Sequence, residues 1–330
     1  MEERIADRST DVKKQHGAGY YAKFAVLTAV ACFLASVAAT ELVLLIIFSR
    51  YTPVSTKSFP IERWAADGSV KASAFEFTSG RNTLKGYSVV PNDPHALIVI
   101  AHGMNANSDG FEPIVRYFAE CGYAVLIYDG TAAGRSEGRR VTGLQQPRYD
   151  LRAAVQFVNE CEQYKDLPIV LLGHSAGAYG AAMEADRSAA AAVICVSGFD
   201  SPLATMRARG SKYVPIYGDL ELPFLALHEF VFHGKDAAAS ASAAVKASAV
   251  PALIIHGADD SSIALPISIF GMLVDDTPEN AELLLVDDLT FSAHGNILIS
   301  DGGEVNTVLL GAIDGFLDRV LETPSAVNAD

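Results

Sequence analysis

Six short apolar runs recur along the second two-thirds of the chain: ALIVIA (96–101), YAVLIY (123–128), PIVLLG (168–173), AAVICV (191–196), PALIIH (251–256) and ELLLV (282–286). They are continuous rather than alternating, which is the pattern of strands covered on both faces of a parallel sheet. Between and after them, FEPIVRYFAECG, YDLRAAVQFVNECEQY and EVNTVLLGAIDGFLDRVLE carry apolar residues at helical spacing. Strands that alternate with helices predict an α/β fold, a mostly parallel central sheet with helices on both faces. Upstream, SAFEFT and KGYSVV flank SGRNTL and predict a hairpin. One gap breaks the rhythm. Residues 200 to about 248 separate two strands, and YVPIYGDLELPFLALHEFVF within them predicts a small inserted helical cap. The Ala/Ser-rich AAASASAAVKAS that follows predicts a helix returning to the sheet.

The N-terminal part obeys a different rule. Residues 24–48, FAVLTAVACFLASVAATELVLLIIF, hold one charge, Glu41. About 20 apolar residues span a bilayer core, so this stretch predicts a transmembrane helix. A cleaved signal sequence would have a shorter apolar region, and a core helix would keep a polar face. The expected organisation is a polar tail over 1–22, a membrane anchor over 23–48, a linker over 49–71 with Pro53 and Pro60, and a folded domain over 72–325. Arg4, Arg8, Lys13, Lys14 and Lys23 precede the apolar stretch, against Arg50, Lys57 and Arg63 in the twenty residues after it. That excess predicts a single-pass protein with its N-terminus inside and its main domain extracytoplasmic.

Charge narrows the function classes. The chain has 25 basic and 39 acidic residues, a formal charge of −14. A domain this acidic is a poor nucleic-acid partner, because phosphate contacts need Lys and Arg. Cys32, Cys121, Cys161 and Cys195 form no C-x-x-C pair, so no zinc site is expected. Buried free thiols are the default reading, with a Cys121–Cys161 disulfide as the alternative in an exported domain.

Two stretches match Gly-x-Ser-x-Gly: GRSEG (134–138) and GHSAG (173–177). A serine nucleophile of this kind needs a strand before it and a helix after it, so that its Oγ stands above the sheet edge. GHSAG follows the strand PIVLL and precedes the helix-compatible AYGAAMEA. GRSEG has neither neighbour. Ser175 is therefore the nucleophile candidate, and the glycines around Ser136 are expected to shape a loop.

A serine hydroxyl is a weak nucleophile and needs a general base. On a scaffold with this elbow the partners follow in the order Ser, acid, His. His294, in FSAHGN, is the only histidine beyond the last two strands. His102 and His256 end strands and read as packed there. His174 adjoins Ser175, and its side chain is expected to point away from the turn. The acid should lie in GADDSSI, where the spacing G-x-x-D-x-x-[VI] selects Asp260 and leaves Asp259 as a loop cap. Asp200, in SGFDSP, is the second choice. For the developing oxyanion, the donors expected are the backbone N–H groups of Ala176 and of Met104, in HGMNANSDG.

Taken together, AHGMNANS, YDGTAAGRSEG, GHSAG, PALIIHGADDSSI and SAHG make the chain resemble the α/β-hydrolase superfamily, in its serine aminopeptidase/monoacylglycerol-lipase-like branch, over roughly residues 72–322. The loop after the fourth strand departs from the usual D-x-R-G-x-G-x-S-x-G, with Thr131 and Ala132 where Arg and Gly are commoner. Asp150 matches a position usually taken as structural. The resemblance implies a serine hydrolase of an ester or related acyl bond, working through Ser175, His294 and Asp260 and an acyl-enzyme, with no metal or organic cofactor implied; with the apolar stretch over 24–48, the expected protein is a membrane-anchored serine hydrolase. The apolar cap residues Tyr213, Tyr217, Leu220, Leu222, Phe224, Leu225, Phe230 and Phe232 suggest a small-molecule or lipid-like acyl substrate. A peptidase, with Asp219, Glu221 or Glu229 receiving an α-amino group, and an acyltransferase are the rivals of the same fold. A non-catalytic scaffold is the rival of a different class.

Overall fold

The computed structural model describes residues 18–50, 59–213 and 217–322. The tail expected over residues 1–22 lies outside them up to residue 17, and so do residues 51–58 of the expected linker. A division falls between Val43 and Leu44. On its N-terminal side lies most of helix α1 (Ala18–Ile47), of which Gly19–Ile47 is long and apolar enough to cross a membrane.

The unit from Leu44 onward begins with the last turn of α1 and α2 (Ile61–Asp67), then β1 (Val70–Ser79), β2 (Asn82–Pro91), β3 (Leu97–Ala101), α3 (Glu112–Glu120) and β4 (Ala124–Tyr128). It continues with α4 (Gln146–Glu160), β5 (Ile169–His174), α5 (Ala176–Glu184), β6 (Ala192–Val196), α6 (Pro202–Tyr213), α7 (Tyr217–His233) and α8 (Ala241–Ala247). It closes with β7 (Ala252–Gly257), α9 (Ile269–Leu273), β8 (Ala281–Val286) and α10 (Thr307–Glu322). The sheet order is β1-β2-β4-β3-β5-β6-β7-β8. The hairpin β1–β2 is antiparallel and joins β4 antiparallel; every other pairing is parallel.

Each continuous apolar run feeds two cores at once. Successive strand residues face opposite sides. Leu97, Val99, Leu126, Leu171, Val193 and Ile254 pack with α4, α5, α8 and α9 on one face. Ile98, Ile100, Ile127, Leu172, Ile194 and Ile255 pack with α2, α3 and α10 on the other. This is why the runs do not alternate in polarity.

Two departures from the sequence expectations have physical causes. Residues 59–71 are folded rather than a free linker: Phe59 and Trp64 are buried, and Phe59 stacks on Tyr87 with ring centroids 4.7 Å apart. The residues just beyond α1 are also built into the domain. Phe48 is buried, its carbonyl accepts from Val141 N–H at 2.9 Å, and Ser49 bridges Arg140. The Arg50 guanidinium donates to the carbonyls of Gly134, Ser136 and Gly138 at 2.7–2.9 Å. The Ala/Ser-rich run does form α8, capped by Ser240 Oγ, which accepts from Ala243 N–H. Cys121, Cys161 and Cys195 are free thiols, with Cys195 in the core.

Candidate active site

The site sits at the C-terminal edge of the parallel strands, where ligands bind in open α/β sheets. β5 ends at His174, and α5 starts at Ala176, so Ser175 alone makes the turn. Its backbone is at φ 57°, ψ −118°, a strained conformation for a residue with a side chain. The glycines of GHSAG let backbones meet there. A Cβ on Gly177 would stand 2.0 Å from the Ala101 carbonyl oxygen, and one on Gly173 would stand 2.2 Å from that of Gly177.

His294 arrives on the loop between β8 and α10. Its Nδ1 lies 2.7 Å from Asp260 Oδ2 and its Nε2 lies 2.9 Å from Ser175 Oγ. A carboxylate only accepts, so the Nδ1 proton points at Asp260 and leaves Nε2 free to accept from the serine hydroxyl. Asp260, in the loop after β7, also accepts through Oδ1 from the N–H groups of Ser262 and Ile263 at 2.9 and 2.8 Å. Burial works to raise its pKa, yet the His294 hydrogen bond, the backbone bond and His256 together hold it below the ordinary carboxylate value.

The structure brings Ser175, His294 and Asp260 into one line and leaves the other candidates outside it. Asp200 accepts from Ser240 Oγ and Ser242 N–H and so holds the start of α8. Asp259 accepts from Ser292 Oγ at 2.7 Å, which ties the loop after β7 to the loop carrying His294. His256 is buried, with Nε2 donating to the Ile263 carbonyl at 3.1 Å; burial lowers its pKa.

Met104 and Ala176, the expected oxyanion donors, flank the serine. Ala176 opens α5, where N–H groups have no intrahelical acceptor. Met104 follows Gly103, and a Cβ on Gly103 would stand 2.9 Å from Ser175 Cβ. Among the described residues, neither N–H has a protein acceptor.

Ser136 belongs to a different construction. It is buried, its Oγ donates to the Asp129 carbonyl and accepts from Lys85 N–H at 2.8 Å. Gly134 adopts φ +45°, and a Cβ there would collide with the Asp129 carboxylate at 2.2 Å. GRSEG is a pinned loop.

His174 corrects the sequence expectation. Its side chain points into the site rather than away. Its Nε2 lies 3.0 Å from the His294 carbonyl oxygen, and its ring centroid is 5.1 Å from that of His294. Burial first, then the neighbouring His294 ring, lowers its pKa to about 4, so it is neutral near pH 7 and donates from Nε2. Strand alternation carried the signal: Val170, Leu172 and His174 share a face, the one packed by Phe111 and Leu298.

A cavity of about 350 Å³ opens beside Ser175, His174 and His294. Met104, Phe111, Ile114, Leu298 and Ile299 give it an apolar wall, and among the described residues no acidic side chain lines it. Among the described residues, α6 and α7 contribute nothing to it. Leu225 packs into the core, whereas Leu220, Phe230 and Phe232 face outward. The side chains of Tyr213 and Tyr217 lie outside the described residues. Asp219 accepts from Arg207 at 2.6 Å, and Glu229 is buried beside His233.

A family model described as serine aminopeptidase, S33, matches residues 92–212. Over 85 residues the chain is 33% identical to monoglyceride lipase of Homo sapiens, covering 26% of this chain and 28% of that protein. Over 104 residues it is 32% identical to monoacylglycerol lipase of Mycolicibacterium smegmatis, covering 29% and 36%. The matched segment thus spans about a third of the length of these curated relatives. Among solved structures, a Pyrococcus furiosus esterase aligns with TM-score 0.61 at 19% identity, over 83% of this chain and 98% of that one. Est1E of Butyrivibrio proteoclasticus, solved with ferulic acid, aligns with TM-score 0.57 at 17% identity, over 76% and 100%. The fold is that of the α/β-hydrolases, and the chain resembles their monoacylglycerol-lipase-like branch.

Proposed function

We propose that this chain, an α/β-hydrolase fold similar to monoacylglycerol lipases and esterases, is a serine hydrolase of carboxylic esters anchored to a membrane by α1. The observation that carries the reading is the unbroken line from Asp260 through His294 to Ser175, at 2.7 and 2.9 Å. Ser175 Oγ attacks the ester carbonyl while His294 Nε2 takes its proton. The C–O bond to the leaving alcohol breaks as His294 returns that proton to the alcohol oxygen. Asp260 stabilises the imidazolium in between. Water, deprotonated by the same nitrogen, then attacks the acyl carbon; the bond to Ser175 Oγ breaks, His294 returns the proton to Oγ, and the carboxylic acid leaves. Met104 and Ala176 N–H groups hold the oxyanion in both halves.

The cavity favours an ester over a peptide. An aminopeptidase needs an acceptor for the substrate's α-ammonium group. Neither Asp219 nor Glu229 is offered at the cavity, whose wall beside Ser175 is apolar. An acyl chain or a small aromatic acid fits that wall better. The length and apolarity of α1 support an anchor, and the basic residues before it support an N-inside orientation with the hydrolase outside.

The test is a panel of acyl esters of increasing length, with aminoacyl amides alongside, assayed on the full chain in detergent. The reading expects ester turnover with a preference along the acyl series. Turnover of the amides alone would replace it with the peptidase reading. Protease protection on intact cells tests the orientation.

A further inference from the structure

We propose that His102 is a positioning residue that aims the Met104 N–H at the oxyanion, and that the loop after β4 exists in part to hold His102. The inference rests on the serine-hydrolase reading above.

His102 follows β3 and is buried. Its ring has two partners of opposite polarity. Gly130 N–H lies 2.9 Å from Nε2 and can only donate, so Nε2 accepts. The proton of the neutral ring then sits on Nδ1, which donates to the Gly103 carbonyl oxygen at 2.7 Å. That carbonyl belongs to the same peptide unit as the Met104 N–H. In a trans peptide the C=O and N–H bonds are antiparallel and coplanar. Fixing one end of the unit by the His102 bond therefore fixes the direction of the other. The Met104 N–H must point away from His102. Gly103 itself lies against the nucleophile turn, since a Cβ there would stand 2.9 Å from Ser175 Cβ, and Met104 and Ser175 line the same cavity. A glycine precedes this peptide and Asn105 beyond it sits at φ 58°, so the segment has no stiffness of its own to set that direction.

The brace continues behind the histidine. Thr131 N–H and Oγ1 donate to the two oxygens of Asp150 at 2.7 and 2.8 Å, and Ser79 Oγ and Gln146 Nε2 donate to the same carboxylate. Asp150 is 2% exposed. Gly130, the donor to His102, is thus anchored one residue from a buried four-fold hydrogen-bond node. Thr131 supplies two of those bonds.

Two substitutions separate the halves of this device. His102→Asn keeps an N–H donor near the Nδ1 position and loses the acceptor for Gly130. His102→Gln keeps an acceptor near Nε2 and loses the donor to Gly103. The measurement is the second-order rate of Ser175 labelling by a fluorophosphonate, on full-length protein in detergent, corrected for folded fraction by thermal melt. The phosphonyl oxygen occupies the oxyanion position, so the rate reads the aim of the donors. Loss of one donor typically costs roughly 10²–10³-fold, and misdirecting it should cost about 10–100-fold. The expected order is wild type, then Asn, then Gln, with Gln about 10–100-fold below wild type. A purely structural role would slow both variants alike. Gln labelling within twofold of wild type, or equal slowing of Asn and Gln, overturns the proposal. If Gln does not fold, His102→Leu, which fills the space with neither bond, takes its place with the same expected loss. A wild-type protein that does not label overturns the hydrolase reading and this proposal with it. A wild type that labels beside an equally fast Gln variant overturns this proposal alone.

Discussion

Asp260 Oδ2 accepts the Nδ1 hydrogen of His294 at 2.7 Å, while Asp260 Oδ1 is occupied by two backbone N–H groups. The carboxylate cannot rotate without breaking three bonds, so it fixes which imidazole nitrogen carries the proton. Asp260→Asn leaves the shape and offers an amide in its place, which favours the wrong tautomer. Ester turnover should fall about 10³–10⁴-fold with KM little changed. Asp200→Asn, at the other acidic candidate, should leave kcat within a few-fold and lower the melting temperature, because Asp200 holds the start of α8.

His174 ties its own ring to the backbone of His294. His174→Ala removes a half-buried donor and leaves the His294 carbonyl without that partner. The expected result is a drop of about tenfold in kcat, larger than any change in KM, because a loop displacement near 1 Å at reacting groups can cost up to ~10²-fold. Steady-state kinetics on the variant check this.

Glu229 is buried in α7, neither carboxylate oxygen has a hydrogen-bond partner among the described residues, and burial raises its pKa to about 7. His233 Nε2, 3.9 Å away, is itself kept neutral by burial, with a pKa lowered to about 4. The sign follows from proton counts. An unfolded glutamate titrates near 4.5 and the folded one near 7, so the folded state holds the extra proton between those values. Stability from this group is therefore full below about 4.5 and lost as pH rises to about 7. Glu229→Gln should melt higher than wild type at pH 8, by up to about 3 kcal/mol of stability, and the gain should vanish near pH 4.5. His228, Tyr149 and Asp236 face the same pair, so the comparison is between the variant and wild type at each pH.

Arg50 closes the GRSEG loop from outside by donating to three of its carbonyls. Arg50→Ala should lower stability by about 1–2 kcal/mol, toward the low end because the side chain is exposed. Arg50→Lys should recover only part, since an ammonium cannot span three acceptors. Thermal melts of the full-length variants decide it.

The sequence made the strands, the helices inserted after β6 and the line of Ser175, Asp260 and His294 legible for one reason: each is announced locally. Apolar runs announce strands, glycines announce the elbow, and chain order ranks the acid and the base. What stayed hidden depends on partners far apart in sequence. Arg50 meets Gly134 across 84 residues, and Gly130 meets His102 across 28. Nothing in HGMNANSDG says that the ring of His102 reaches past its own strand end to a loop, and a strand-end histidine reads as packing until that partner is seen. Phe59 and Trp64 read as linker because two prolines nearby outweighed two isolated aromatics.

The central claim is that Ser175, not Ser136, is the nucleophile. Both occur in Gly-x-Ser-x-Gly, and both precede Asp260 and His294, so order along the chain cannot separate them. Geometry does: Ser175 Oγ meets His294 Nε2, and Ser136 Oγ is spent on Asp129 and Lys85. The most direct measurement is fluorophosphonate labelling of full-length wild type, Ser175→Ala and Ser136→Ala, read by gel and by mass of the modified peptide. The account predicts a modified Ser175 in wild type, no labelling in Ser175→Ala, and labelling retained in Ser136→Ala despite a lower melting temperature. Labelling that survives Ser175→Ala would contradict it.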